Sequence, residues 1–120
     1  MVPKGNEKLV FELHADVCKA MSSPKRLEII VLLGEHERNV DDLAEKMGVS
    51  KANVSQHLAI LREKGVVLPR REGVHVFYRI TNPKIVQACT LMREVMFEKL
   101  ISGAKHARLL MDQPEEGANR

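Results

Sequence analysis

Between about Glu7 and Met21 the apolar residues Val10, Leu13, Val17 and Met21 fall at helical intervals and predict an amphipathic helix. Ser22-Ser23-Pro24 closes it and opens the next. A serine before a proline suits a helix start. Its hydroxyl accepts an orphan backbone N–H, and proline has no N–H to leave unpaired. Leu27, Ile30, Val31 and Leu33 predict a buried second helix, with Gly34 expected to close it. Asn39 is the expected cap of a short third helix, with Asp41 and Asp42 in its first turn, where the helix dipole favours acids. The inner face of that helix is Val40, Leu43, Ala44 and Met47, and Gly48 stops it. Ser50 caps a fourth helix that runs to about Lys64 and stops at Gly65.

The period then changes from helical to alternating. Val66-Val67-Leu68 and the run from Val74 to Ile80 read as strands, with a turn at Glu72-Gly73. Pro69 cannot donate to a ladder, which confines its strand to a sheet edge. Pro83 opens a long helix striped by Ile85, Cys89, Met92, Met96 and Leu100, with Ala88, Leu91 and Val95 beside the stripe. The predicted order is ααααββα, mainly α with a small β-hairpin. Residues 1–111 are expected to form one domain and 112–120 a flexible tail.

Ala44, Gly48 and Val54 add a tertiary expectation. Two helices that meet closely need a small residue at the approach, a glycine in the turn and an aliphatic residue locking the second helix to the first. These three residues meet those needs at the right spacing, and a hairpin follows at once. That arrangement is a winged helix-turn-helix. On the fourth helix Val54, Leu58 and Leu61 share the inner face, while Lys51, Ala52, Ser55, Gln56 and Arg62 lie on the other side. Short polar side chains on an exposed helix suit base edges, and Gln can pair bidentately with adenine. The plainer alternative is an ordinary solvated face. His57, next to the inner stripe, reads as a packed, hydrogen-bonded histidine. Arg70, Arg71, His75 and Arg79 decorate the hairpin, where arginines reach phosphates or a minor groove. Their alternative role is to charge an exposed edge against aggregation. Arg71, nearest the turn, is the foremost contact candidate.

Charge sharpens this picture. The 120-residue chain has a net charge of only +3, but six basic residues stand against two acids within 51–79. That segment carries +4 and leaves the rest at −1, as a nucleic-acid footprint would. Hydrophobic residues make up 44%, enough for one domain's core, and aromatics only 3%, so the core is aliphatic. No apolar run approaches the roughly 20 residues of a membrane span. The charged start argues against a secretory signal. Two cysteines, Cys18 and Cys89, make no disulfide framework, so a reducing cytosol is the expected compartment. An enzyme is disfavoured. There is no phosphate-binding glycine loop, and Ser55 and His57, two apart on a helix, point in different directions.

The stretch Val49-Ser50-Lys51-Ala52-Asn53-Val54-Ser55-Gln56-His57-Leu58-Ala59-Ile60-Leu61-Arg62 resembles the recognition-helix signature of the ArsR/SmtB repressors. So do Ala20 to Leu27 upstream and Arg70-Arg71-Glu72-Gly73 through Tyr78 downstream. The resemblance implies a homodimer, joined through its first and last helices, that binds double-stranded operator DNA and releases it when an inducer binds. A winged-helix protein-interaction module is the alternative, and the basic segment argues against it.

The resemblance also lets inducer sites be checked. A Cys-x-Cys metal motif is missing, because residues 39–47 hold no cysteine. A zinc site on the last helix would fall on Asn82, Lys84, Val95 and Glu98, which are poor ligands as a set. A persulfide-sensing pair would fall on Val31 and Phe97. Cys18, Cys89 and His14, one turn before Cys18, remain as candidates for a soft metal or metalloid ion or a redox signal. Their alternative is simple packing.

Overall fold

The computed structural model describes residues 6–111, and the expected tail at 112–120 lies outside them. The elements are α1 (Glu7–Ala20), α2 (Pro24–Glu35), β1 (Arg38–Asn39), α3 (Val40–Met47), α4 (Lys51–Glu63), β2 (Val67–Glu72), β3 (His75–Ile80) and α5 (Pro83–Met111). The chain divides into two compact units between Gln87 and Ala88.

Three helix starts form through the caps the sequence predicts. Ser23 Oγ accepts the Arg26 N–H at 3.3 Å, Asn39 Oδ1 accepts the Asp42 N–H at 2.8 Å, and Ser50 Oγ accepts the Asn53 N–H at 3.1 Å. Each satisfies a donor that the helix itself cannot, typically worth about 1 kcal/mol.

The ααααββα order needs one addition. Two residues, Arg38 and Asn39, form a strand before α3 and pair antiparallel with Tyr78 and Phe77. The sheet therefore has three strands in the order β1-β3-β2, with Pro69 on an edge strand. A two-residue strand has no alternation to read, so only the partner reveals it. The hairpin turn also moves by one residue. Glu72 pairs with His75, so Gly73 and Val74 make the turn, with φ +62° at Gly73 and no positive φ at Val74. Positive φ at the first central residue alone is the type II′ pattern, which matches strand twist.

Gly34 does not close α2, because the helix continues to Glu35. A Cβ at Gly34 would sit 2.9 Å from Val86 Cγ1. The glycine lets the start of α5 approach, and a β-branched neighbour has little rotamer freedom to yield. The buried face of α2 is Ile29, Ile30 and Leu33, while Leu27 is left 40% exposed in the first turn.

The core of the first unit joins these residues to Leu43, Ala44, Val54, Leu58, Leu61, Val66 and Val67. Each large aliphatic side chain buried there contributes about 1.5–3 kcal/mol. In the second unit Cys89 is the buried residue of its helix among the described residues. Two faces remain uncovered in the single chain. On α1, Leu9, Val10, Phe11 and Leu13 are exposed. On α5, Leu91, Met92, Val95, Phe97, Leu100 and Ile101 are exposed.

Candidate nucleic-acid interface

The α3–α4 pair is built by its turn. Gly48 adopts φ +67°, its N–H donates to Ala44 O at 2.9 Å, and the Val49 N–H donates to the same carbonyl at 3.2 Å. A left-handed residue here reverses the chain sharply enough for Ala44 and Val54 to be buried. The three residues read as a helix-turn-helix lock thus occupy the closing turn of α3 and the buried faces of both helices.

Burial of Val54, Leu58 and Leu61 turns the other side of α4 outward. Lys51, Ala52, Ser55, Gln56 and Arg62 are all exposed, as the sequence predicts. Lys51 Nζ lies 3.2 Å from Asp41 Oδ1, with both side chains well exposed. Such a surface pair is weak and readily exchanged for another anion. A shallow cleft lined by Ser55, Leu58, Ala59, Arg62, Glu63 and Tyr78 separates α4 from the hairpin.

Strand alternation divides the hairpin residues between two faces. Val67, Pro69 and Arg71 are opposite Ile80, Tyr78 and Val76 and share one face. Tyr78 lines the α4 cleft, so this is the α4 side. Leu68, Arg70 and Glu72 pair with Arg79, Phe77 and His75 on the other face. Arg71 therefore shares the face that looks toward α4, and Arg70 and His75 do not.

Arg70 is also engaged. Its Nε and Nη2 donate to Glu37 Oε1 at 3.0 and 2.8 Å, its Nη1 donates to Glu72 Oε2 at 2.9 Å, and its Cζ lies 5.1 Å over the Phe77 ring. The hydrogen bonds from Arg70 hold the Glu37 carboxyl below the usual carboxylate range, with Arg79 adding to the effect.

Two further residues support the site, and composition alone would not single either out. Arg38 is 4% exposed. Its Nε donates to Leu32 O at 2.9 Å, its Nη1 to Asp42 Oδ2 at 2.6 Å, and its Nη2 to Glu35 Oε1. It joins the end of α2 to the start of α3, and its hydrogen bond lowers the Asp42 pKa. Arg26 donates to Ala20 O and faces His57 Nδ1 at 3.1 Å, tying α1 and α4 to α2.

His57 is the packed, hydrogen-bonded histidine that the sequence predicts. Burial, then the charges of Arg26 and Lys25, push its pKa below 6.5. The unfolded chain therefore takes up this proton more readily than the folded one. The contribution of His57 to stability is complete above about pH 6.5 and is lost as pH falls through the folded value. His57→Gln should flatten that limb. Urea denaturation at about pH 7.5 and about pH 5.5 checks it, and an equal pH loss in both proteins would count against it.

Cys18 and His14 are exposed on α1, and Cys89 is buried on α5. Among the described residues no group of three or more His, Cys, Asp or Glu could hold a metal ion. Among them, too, no helix is long and apolar enough to cross a membrane.

Comparison with known proteins agrees with this geometry. The family model described as bacterial regulatory protein, arsR family, matches residues 23–68. Over 88 residues the chain is 35% identical to Rv0081, an uncharacterised HTH-type transcriptional regulator of Mycobacterium tuberculosis, covering 72% of this chain and 77% of that one. The crystal structure of Rv0081 superposes with a TM-score of 0.71 at 33% identity, covering 79% of this chain and 96% of that one. The biofilm growth-associated repressor of Xylella fastidiosa is 38% identical over 73 residues, 61% of this chain and 64% of its own. The homodimeric winged helix-turn-helix DNA-binding domain Mb0332 of Mycobacterium bovis superposes with a TM-score of 0.73 at 31% identity, covering 82% and 91%.

Proposed function

The chain belongs to the ArsR family of bacterial regulatory proteins and is a DNA-binding transcriptional regulator, not an enzyme; from there we propose that it acts as a homodimeric repressor on an inverted-repeat operator. The observation that carries this reading is the two-sided α4. Its aliphatic side is fully buried, and its exposed side has Lys51, Ala52, Ser55, Gln56 and Arg62 with no acid before Glu63. Ser55 and Gln56 are suited to base edges, and Lys51, Arg62 and Arg71 to phosphates. His75 lies with Arg70 on the hairpin face away from the α4 cleft and is not counted among these contacts. A two-fold dimer presents two such helices, which suits half-sites about one helical turn apart.

The test is titration of a labelled duplex from the region upstream of the protein's own reading frame, against a random duplex, over a salt series. Gln56→Ala should bring the two affinities together. Arg71→Ala should weaken both and lower the slope of log K on log salt by about one. Equal loss of base preference from both changes would contradict this division.

Release by an inducer completes the proposal. Cys18 and Cys89 are its candidate residues, with His14 one turn from Cys18, acted on by a soft metal, a metalloid or an oxidant. A ligand there that favours a dimer geometry poorly matched to the operator would weaken DNA binding by the roughly 1–3 kcal/mol usual for coupled sites. Cys18→Ser and Cys89→Ser should bind DNA normally and fail to release it when arsenite or a thiol oxidant is added. Full release of the double variant would reduce both cysteines to packing residues.

A further inference from the structure

Glu37, Arg38 and Asn39 occupy three successive positions, and their side chains go three ways. Arg38 is buried against the end of α2 and the start of α3. Asn39 caps α3, the first helix of the helix-turn-helix. Glu37 reaches the hairpin, where it takes Arg70 Nε and Nη2 at 3.0 and 2.8 Å. The backbone between them is strand β1, paired with Tyr78 and Phe77 of β3. Arg70 stands on β2 directly opposite Phe77, stacks over that ring at 5.1 Å, and gives its remaining terminal nitrogen to Glu72 at 2.9 Å.

We propose that Arg70 is a positioning residue: with Glu37 it fastens β2, across β3, to the segment that starts α3, so that the wing meets DNA at a fixed angle to α4. The inference rests on the wing's contact with DNA proposed above. It takes Arg70 out of the phosphate-contacting set to which its charge and its place in the wing assign it. Three observations carry it. Two carboxylates engage every nitrogen of the guanidinium, taking three of its five N–H groups and offsetting its charge, which leaves little net attraction for a phosphate. The side chain lies on the face of the hairpin away from the α4 cleft, the face opposite to that of Arg71. The partner carboxylate belongs to the connection between α2 and α3 and not to the hairpin itself, so the bond spans the two parts whose relative angle matters.

The consequence has an unusual sign. Glu37 is an acid on a DNA-binding protein, and removing a negative charge near DNA ordinarily strengthens binding. Here Glu37→Gln should weaken it, because the wing is no longer held. A lysine at 70 keeps the charge but lacks the planar fork that spans a carboxylate. Arg70→Lys should therefore behave like Arg70→Gln and not like the parent.

The experiment titrates the same labelled upstream duplex over a salt series with the full-length protein and its Glu37→Gln, Arg70→Lys, Arg70→Gln and Arg71→Ala variants. Amide hydrogen exchange of β2 and β3 is followed in parallel. Expected are a loss of about 5–10-fold in affinity for Glu37→Gln and for each Arg70 variant, an unchanged salt slope, and faster exchange in β2. The double variant Glu37→Gln with Arg70→Lys should be no weaker than either single change, since both break one link. If Glu37→Gln binds more tightly, or if Arg70→Gln lowers the salt slope by about one while Arg70→Lys binds like the parent, Arg70 is a phosphate contact and the proposal is overturned. Arg71→Ala reports on the wing itself. An unchanged slope in that variant would overturn the wing's contact with DNA and the proposal with it. A lowered slope, with Glu37→Gln binding more tightly, would overturn the proposal alone.

Discussion

Val10→Glu combined with Leu13→Glu should yield a monomer that keeps its fold and loses about 10³-fold in affinity for the operator. In the single chain Val10 is 40% exposed and Leu13 is 57% exposed, so a carboxylate at either site stays in water and costs the monomer little. At an interface between two copies the same carboxylates would be buried without partners, which is strongly unfavourable. The expected loss on DNA is large for a geometric reason. The second half-site is bound almost without further translational loss when two heads are joined, and that advantage vanishes when they separate. Sedimentation velocity gives the oligomeric state, circular dichroism the fold, and the labelled duplex the affinity. A variant that still sediments as a dimer would show that α1 is not part of the interface. The exposed residues of α5, Leu91, Met92, Val95, Phe97, Leu100 and Ile101, are the second face such a dimer would cover.

Arg38→Ala is expected to have the largest effect on stability, about 2–3 kcal/mol. The side chain is 4% exposed and serves a backbone carbonyl, Leu32 O, and two carboxylates, Glu35 and Asp42. Removing one partner from a buried ionic network commonly costs about 3–5 kcal/mol. The figure here is lower because Glu35 and Asp42 are 60% and 38% exposed and can regain water. Arg38→Lys should recover little, since an ammonium carries its three donors on one atom and cannot reach acceptors that the guanidinium meets from three separate nitrogens. Denaturation in urea measures the loss, and a change below about 1 kcal/mol would mean that the network is replaced by solvent. Because Asp42 lies in the first turn of α3, destabilisation here should also lower DNA affinity while leaving base preference unchanged.

The local features were legible because local chemistry decides them. Ser23, Asn39 and Ser50 cap helices wherever those helices form, since the orphan N–H groups are a few residues away. Gly48 and Gly73 take positive φ, a conformation that a residue with a Cβ resists through its own backbone. Spacing alone likewise told the inner from the outer face of α4, because a period of 3.6 residues leaves no other choice once Val54, Leu58 and Leu61 are buried. The helix-turn-helix and its hairpin follow from these local choices in series.

What needed the tertiary structure were the features whose cause lies far along the chain. Strand β1 exists only because β3, some forty residues later, offers it a partner. Gly34 looks like a helix stop by residue type, yet its role is set by Val86 arriving across the fold. Leu27 and Ile29 are equally apolar, and only packing decides that Ile29 is the one buried. Arginines separate in the same way. Arg38, Arg70 and Arg71 are identical in charge and composition, but one is buried between two helices, one is held by Glu37 and Glu72, and one sits on the face toward α4. Sequence by itself determined the helices, their caps and the face that α4 turns outward. Only the tertiary structure decided which charged groups are engaged within the protein: Arg70 meets Glu37 across 33 positions, and Arg38, whose carboxylate partners lie three and four positions away, is distinguished by the burial that the fold imposes on it.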